Sequence, residues 1–211
     1  MIVTRRRAAI LAAVVVALIV LGAAGWMIGR GEEEPAAAPT PSPTPTEPAE
    51  DPCTTDEPFT PSSAVVDGIE APVVAMPRDA NDVPGVLPLD DQGASAIAWD
   101  EPPGVSPGEA SGNVLLNAHT FPGDGALGNR FLDELELGDP IELRGDDGQR
   151  LCYEVSERVE VLAADGFPRY YEDAGYPQIA LIVCSGERVG PGDWTHRTIW
   201  FATPVEADLA S

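Results

Sequence analysis

The chain contains no lysine, so all twelve of its permanently cationic side chains are arginines. They stand against 35 aspartates and glutamates, which leaves a formal net charge of −23 at pH 7. A surface this acidic repels the phosphate backbone of nucleic acids and the headgroups of anionic lipids. The composition therefore argues against nucleic acid as a partner and against docking onto an anionic membrane surface.

Histidine and cysteine are nearly as scarce, with two histidines and three cysteines in 211 residues. There is no Cys-x-x-Cys pair, no His-x-x-x-His spacing and no Gly-rich phosphate loop, so the common zinc and nucleotide motifs are absent. Acidic pairs stand in loops at Asp90-Asp91, Asp100-Glu101 and Asp146-Asp147. Because such pairs are usually solvated turns, we predict no metal and no cofactor, with a calcium ion in these loops as the alternative.

Long hydrophobic runs are missing except at the N-terminus. Arg5-Arg6-Arg7 precede an uncharged stretch from Ala8 to Gly29 that is rich in Ala, Val, Leu and Ile. The stretch is long enough to cross a hydrocarbon core of about 30 Å as a helix, and the arginines would stay in the cytoplasm. We therefore predict that residues 1–29 anchor the chain in the plasma membrane by a single pass, with the remainder outside the cell. A cleavable signal peptide is the alternative.

Residues 30–61 differ abruptly in composition from the parts of the chain on either side. A run of three glutamates is followed by a tract rich in Pro, Ala and Thr without apolar periodicity. Such a tract cannot bury enough surface to fold alone, so we predict a disordered linker. Residues 62–211 remain as one domain, and a domain of about 150 residues can bury roughly 70% of its unfolded surface.

The apolar segments of this domain are short and are separated by Gly, Pro and Asp. They are Ala71–Met76, Ala96–Trp99, Val114–Ala118, Ile141–Arg144, Leu151–Val155, Ile179–Cys184 and Thr198–Ala202. Gly145-Asp146-Asp147-Gly148 predicts a hairpin turn, Leu127–Leu137 a short helix and Tyr170–Ala174 a further helical turn. The sequence predicts a mostly-β fold, and closure into a barrel is the expected way to remove exposed strand edges.

An odd number of cysteines in an exported protein leaves one thiol without a partner. Cys184 ends a buried-looking strand beside Ser185-Gly186, and it is our candidate for the free thiol. Cys53 and Cys152 are then expected to form a disulfide that fastens the end of the linker to the domain. The alternative is that Cys53 stays unpaired or joins another chain.

Three reactive side chains stand in or at the ends of apolar strands. Leu181–Cys184 delivers a thiol, Val114–Ala118 leads to the imidazole of His119, and Arg197 follows the thiol by thirteen residues. Acyl transfer by a cysteine needs a thiol that attacks, an imidazole that moves protons and a fixed donor that stabilises the oxyanion. His196 points to the opposite strand face from Arg197, which favours His119 as the acid–base group.

The order of these segments resembles that of the sortases, the membrane-anchored cysteine transpeptidases of Gram-positive bacteria, with the actinobacterial class E or F enzymes as the expected subgroup. The resemblance covers roughly residues 64–205. Val65–Val73 resembles the opening strands of the family, Asn113–Thr120 the histidine strand, Leu181–Cys184 the Thr-Leu-x-Thr-Cys signature and Trp194–Ala202 the arginine strand. The resemblance implies an eight-stranded β-barrel.

The resemblance also implies a role for each side chain. Cys184 would be the nucleophile that cleaves a Leu-Pro-x-Thr-Gly-like sorting signal of a secreted protein and forms a thioacyl intermediate. His119 would be the acid–base group, and Arg197 would hold the oxyanion. The acyl group would pass to a cell-wall precursor or another amine. Three further residues would line the substrate site, namely Val183, Ala118 and Thr120.

Two positions depart from the family signature. Its threonines are replaced here by Ala180 and Val183, so the hydroxyl beside the cysteine is missing. This departure keeps open a second hypothesis, in which the chain is a degenerate sortase-fold module that binds an exported peptide without cleaving it.

Overall fold

β-Strands form most of the computed structural model of the protein, which describes Cys53, residues 57–123 and residues 125–205. Within these residues the strands are β1 (Pro61–Val66), β2 (Ile69–Met76), β3 (Ile97–Asp100), β4 (Asn113–Ala118), β5 (Pro140–Gly145), β6 (Arg150–Leu162), β7 (Gln178–Gly190) and β8 (Asp193–Pro204). Three short helical segments connect them, namely α1 (Asp91–Ala94), α2 (Leu127–Glu134) and a 3₁₀ helix (Pro168–Tyr171).

The strands close into a barrel in the order β1-β2-β3-β4-β7-β8-β6-β5. Two neighbouring pairs are parallel, β2 with β3 and β4 with β7, and the other pairs are antiparallel. Closure pairs β1 with β5, so neither strand is left as a free edge. The predicted mostly-β fold and its closed eight-stranded barrel are confirmed.

Side chains alternate between the inside and the outside of the barrel along β4 and β7. The inward side chains are apolar and form the main core with those of the other strands; on these two strands they are Val114, Leu116, Ala118, Ile179, Leu181 and Val183. Since β4 and β7 are parallel and Ala118 pairs with Val183, the C-terminal end of β4 lies beside the middle of β7. The residues that follow Ala118 and Val183 therefore meet at one end of the barrel.

The predicted hairpin joins β5 to β6, and the Gly145 N–H donates to the Gln149 carbonyl at 2.9 Å. Gly148 has a φ of +84°, which a residue with a side chain rarely adopts. The helix predicted over 127–137 ends earlier, at Glu134, because Leu135 turns to an extended conformation and buries its side chain in the core. The helical turn predicted over 170–174 is the 3₁₀ helix, which begins and ends earlier.

The structure joins Cys53 to Cys152 by a disulfide with a Cα–Cα distance of 5.5 Å, and Cys184 is a free thiol. The predicted anchor over residues 1–29 lies outside the described residues, as does the predicted linker apart from Cys53 and residues 57–61. Among the residues that are described, no helix has the length and apolar character needed to cross a membrane.

The acidic loops have local partners. Asp90 caps α1, accepting the Gly93 N–H at 2.9 Å, and this four-residue helix was not predicted from the sequence. The carboxylate of the buried Asp100 accepts hydrogen bonds from Nε and Nη2 of Arg78. In the described part of the chain, no group of three His, Cys, Asp or Glu side chains is arranged to hold a metal ion.

Candidate active site

Cys184 and Arg197 lie directly opposite each other on the antiparallel strands β7 and β8. Side chains at directly opposed positions have Cβ atoms roughly 5 Å apart and lie on one face of the sheet. The neighbouring pair, Val183 with Thr198, faces the barrel interior, so the thiol and the guanidinium face outward. The two residues are thirteen positions apart in the sequence and are direct neighbours across the two strands.

His119 comes to the same end of the barrel directly after β4. It follows Ala118, the last residue of the parallel ladder with β7, and its side chain is outward by strand alternation. Its main chain is fixed by α2, whose Gly128 N–H donates to the His119 carbonyl at 2.8 Å. A Cβ at Gly128 would lie 2.5 Å from that carbonyl oxygen, so only glycine permits this approach.

These side chains open onto a cleft with a volume of about 290 Å³. All six residues assigned to catalysis or substrate binding line this cleft, so the structure brings the predicted set together. The other lining residues are Val86, Leu89, Asn117, Ile182, Gly192 and Trp194. Most of the lining residues are apolar, and the thiol, the imidazole and the guanidinium open onto the same cleft.

The Cys184 thiol is half-buried, and burial raises its pKa because the thiolate is poorly solvated there. The positive charge of Arg197 opposes this shift and lowers the pKa, whereas the negative charge of Asp193 raises it. With its pKa above the usual value, the resting thiol is protonated at neutral pH. A nucleophilic thiolate therefore requires a base close by.

The Arg197 guanidinium is held by main-chain carbonyls rather than by acids. Nη1 donates to the Trp194 carbonyl at 3.1 Å and to the His196 carbonyl at 2.8 Å. Within the described residues Arg197 forms no ion pair, although the chain is rich in carboxylates. Its charge is not neutralised by a carboxylate, and it is suited to stabilise an anion that develops in the cleft.

The three predicted substrate-binding residues differ in what they can offer. Val183 and Ala118 border the cleft although their buried side chains belong to the core inside the barrel, on the side away from the thiol. The Thr120 hydroxyl donates to the Cys184 carbonyl at 2.7 Å, which ties the end of β4 to the strand that carries the thiol. Thr120 therefore contributes to the cleft by holding the main chain of β7 at Cys184.

Besides the other lining residues, the sequence did not reveal two groups that accompany His119, namely the Asn117 side chain and the Leu87 carbonyl. Asn117 stands two residues before His119, so strand alternation alone places both on the outer face. The Leu87 carbonyl accepts from Nε2 of His119 at 2.6 Å across 32 residues of sequence. The sequence cannot indicate a contact made by a main-chain carbonyl. The two-residue spacing between Asn117 and His119, in contrast, could have indicated that both lie on the same face. His196 is half-buried, with Nδ1 2.8 Å from the Thr195 hydroxyl, and it does not line the cleft.

A closed barrel that presents a thiol, an imidazole and a guanidinium in one cleft defines a class: it has the groups of a cysteine acyl-transfer enzyme. A family model described as the Sortase domain matches residues 67–205. The chain therefore belongs to the sortase family, whose members are generally cysteine transpeptidases. No curated protein sequence matches the chain.

Solved structures of sortases share the fold. Sortase A from Corynebacterium diphtheriae is 20% identical with a TM-score of 0.51, over 74% of this chain and 65% of that one. Its lid mutant is 21% identical with a TM-score of 0.52, over 72% and 74% of the two chains. Streptococcus agalactiae sortase C1 is 17% identical with a TM-score of 0.50, over 68% of this chain. The chain spans just under two thirds of that structure, 66% of its length.

Proposed function

We propose that the protein is a sortase-type transpeptidase that cleaves a Leu-Pro-x-Thr-Gly-like sorting signal and transfers the acyl group to a cell-wall amine. The observation that carries this proposal is the cross-strand pairing of Cys184 with Arg197 in the cleft that His119 also lines. Residues 1–29 would hold the enzyme in the plasma membrane with the barrel outside, where it meets secreted proteins. Within the family we favour the actinobacterial class E or F type.

The reaction begins with transfer of the Cys184 proton to the imidazole of His119. The thiolate attacks the threonyl carbonyl carbon, and the Arg197 guanidinium stabilises the resulting oxyanion. The C–N bond then breaks, and the imidazolium gives its proton to the departing amine. A thioacyl enzyme and a neutral imidazole remain.

The second half of the reaction reverses these roles. An incoming amine attacks the thioacyl carbonyl and gives a proton to the imidazole of His119. The carbon–sulfur bond breaks, the new amide is released, and the Cys184 thiolate recovers the proton from the imidazolium. Since the chain has no lysine, none of its own side chains can supply the acceptor amine.

Mass spectrometry of the full-length protein after incubation with a Leu-Pro-x-Thr-Gly peptide library tests this proposal. We expect an acyl adduct on Cys184, no adduct with Cys184→Ala, and release of the C-terminal fragment. A protein that folds with its disulfide intact but forms no adduct across the library would refute the proposal. Arg197→Ala should retain the fold while losing on the order of a hundredfold in adduct formation, the magnitude typical of an oxyanion donor.

A second candidate function is a module that binds exported peptides without cleaving them. Two observations favour it: Val183 replaces the signature threonine beside the thiol, and burial raises the pKa of Cys184. Peptide binding measured by calorimetry with wild type and Cys184→Ala separates the two functions. The binding module predicts the same affinity for both and no released fragment from either.

A further inference from the structure

Two outward side chains, one on β4 and one directly after it, reach the same stretch of main chain. Asn117 Nδ2 donates to the Gly85 carbonyl at 3.0 Å, and His119 Nε2 lies 2.6 Å from the Leu87 carbonyl. Both the donors and the acceptors are two residues apart. The 85–87 main chain therefore runs along the outer face of β4 and is attached to it at two successive points.

This stretch is also anchored on its other side. The Leu87 side chain is buried with Ala96 and Ala98, away from the cleft. A Cβ at Gly85 would lie 2.5 Å from the Pro77 carbonyl oxygen, so the main chain at Gly85 packs directly on the end of β2. The position of the Leu87 carbonyl is consequently set by packing behind it and by the Asn117 amide beside it.

A carbonyl oxygen accepts hydrogen bonds and cannot donate them, so Nε2 of His119 must carry a proton. Nε2 keeps this proton in the neutral ring and in the imidazolium alike. Nδ1 is then the nitrogen that gains and loses a proton, because it is the one left without hydrogen in the neutral ring. The Leu87 carbonyl thus decides which ring nitrogen acts as the base.

We propose that Asn117 is a positioning residue: by holding the Gly85 carbonyl, it sets the Leu87 carbonyl against His119 and keeps the imidazole in its Nε2–H tautomer. The inference rests on the proposed function for its catalytic consequence, whereas the tautomer itself is a property of the resting protein. Replacing the amide by a group that cannot donate would free the 85–87 main chain on the β4 side and let the two tautomers interconvert.

The strand offers a matched control at Asn113, which lies on the same face of β4. Its Nδ2 also donates to main-chain carbonyls, those of Arg169 at 2.7 Å and Tyr170 at 3.0 Å, but these lie away from the cleft. A second control is Asn81, which is exposed and contacts Asp79. Because Asn113 is the more buried of the two asparagines, a folded Asn113→Leu variant shows whether loss of a β4 amide by itself disturbs His119.

The experiment measures the imidazole nitrogens of His119 by long-range ¹H–¹⁵N correlation in full-length, ¹⁵N-histidine-labelled protein at pH 8. We expect a protonated Nε2 and an unprotonated Nδ1 in wild type, Asn113→Leu and Asn81→Ala. In Asn117→Leu the two nitrogens should move toward a common, averaged shift, and Asn117→Ala serves as the second variant if the leucine perturbs folding. An Nδ1–H tautomer in wild type, or an unchanged signature in both Asn117 variants, would overturn the proposal.

Kinetics then connect the tautomer to catalysis. Asn117→Leu should lower kcat for peptide cleavage by about tenfold, a fraction of the usual contribution of acid–base catalysis, with KM changed by less than about twofold. Asn117→Gln, which retains the donor, should recover part of the loss. A fall in kcat without a change in the ring shifts would also overturn the proposal. If wild type itself cleaves no peptide, the proposed function fails while the tautomer result still stands or falls by itself.

Discussion

The outer face of β4, β7 and β8 has two halves that use the same strands for opposite purposes. The sealed half comprises Leu115, Ala180, Ile199 and Phe201, which are buried under the 3₁₀ helix together with its Tyr170. The open half comprises Asn117, His119, Ile182, Cys184 and Arg197, which line the cleft. Both halves are covered by a connecting segment whose carbonyls accept from an asparagine of β4.

The difference lies in what each covering segment turns toward the sheet. The 3₁₀ helix sends the Tyr170 ring onto the face, with its hydroxyl donating to the Leu116 carbonyl at 3.2 Å. The 85–87 stretch turns the Leu87 side chain away into another cluster and presents a carbonyl to His119. One segment therefore excludes water from the sheet, and the other leaves a space with a polar group at its edge.

Truncation of Tyr170 should have the largest effect of the substitutions that probe this comparison. Tyr170→Ala removes a fully buried ring and its hydrogen bond, and we expect the free energy of unfolding to fall by about 3–5 kcal/mol, as for other buried aromatic residues. Urea unfolding followed by circular dichroism measures this loss. Tyr171→Ala, at a 54% exposed neighbour whose ring packs edge-on against that of Tyr170, should lower the free energy of unfolding by only about 0.5–1.5 kcal/mol. Equal losses at the two positions would contradict a sealed half that depends on Tyr170.

Substitutions in the open half should change the reactivity of the Cys184 thiol. Burial raises the Cys184 pKa and the Arg197 charge lowers it, so Arg197→Gln should raise the pKa further. The thiolate fraction at a fixed neutral pH then falls, and alkylation by iodoacetamide should slow several-fold as its pH profile moves to higher pH. Rates measured from pH 6 to 10 by mass spectrometry check this expectation.

Asp193→Asn is the matched control for Arg197→Gln. It removes a negative charge that raises the Cys184 pKa, so the alkylation profile should move to lower pH and the rate at neutral pH should rise. Shifts in the same direction for both variants would show that loss of packing, and not charge, governs the thiol. Neither variant should alter the free energy of unfolding, because neither residue packs in the sealed half.

The sequence predicted the barrel and the reactive side chains of the cleft for a physical reason, but it did not predict the full length of two strands. Cys184 was expected to end its strand, whereas β7 continues to Gly190, and β6 continues to Leu162 beyond the predicted segment that ends at Val155. Short apolar segments ending at Ala118 and Cys184 carry both the periodicity of a strand and the reactive group that follows it. The contacts that orient these groups arise between segments far apart in the chain, such as the Leu87 carbonyl on His119 and the Thr120 hydroxyl on the Cys184 carbonyl. These contacts depend on main-chain positions, which the residue type does not predict. The early end of α2 has the same origin, because tertiary burial of Leu135 overrides local helical periodicity.

The two halves also differ on the inner side of the same strands. Beneath the sealed half the interior is apolar, with Ile179, Leu181 and Trp200 fully buried. Beneath the open half, the hydroxyls of Ser185 and Thr198 are buried without a hydrogen-bond partner among the described residues. Thr198 lies directly opposite Val183, so a hydroxyl sits across from the position where the family signature has a threonine.

A buried hydroxyl without a partner has lost its hydration without compensation, so its removal should be favourable. Thr198→Val keeps the shape of the side chain, and we expect the free energy of unfolding to rise by about 1 kcal/mol in urea titrations. Thr195→Val makes the same change on the same strand, but there the hydroxyl accepts the Glu187 N–H at 2.9 Å, so the free energy should fall by about 1 kcal/mol. A loss of stability in Thr198→Val as large as in Thr195→Val would mean that the Thr198 hydroxyl is satisfied in solution. In that event the Thr198 hydroxyl beneath the open half would have a hydrogen bond in place of its lost hydration, and the two halves would not differ there on their inner side.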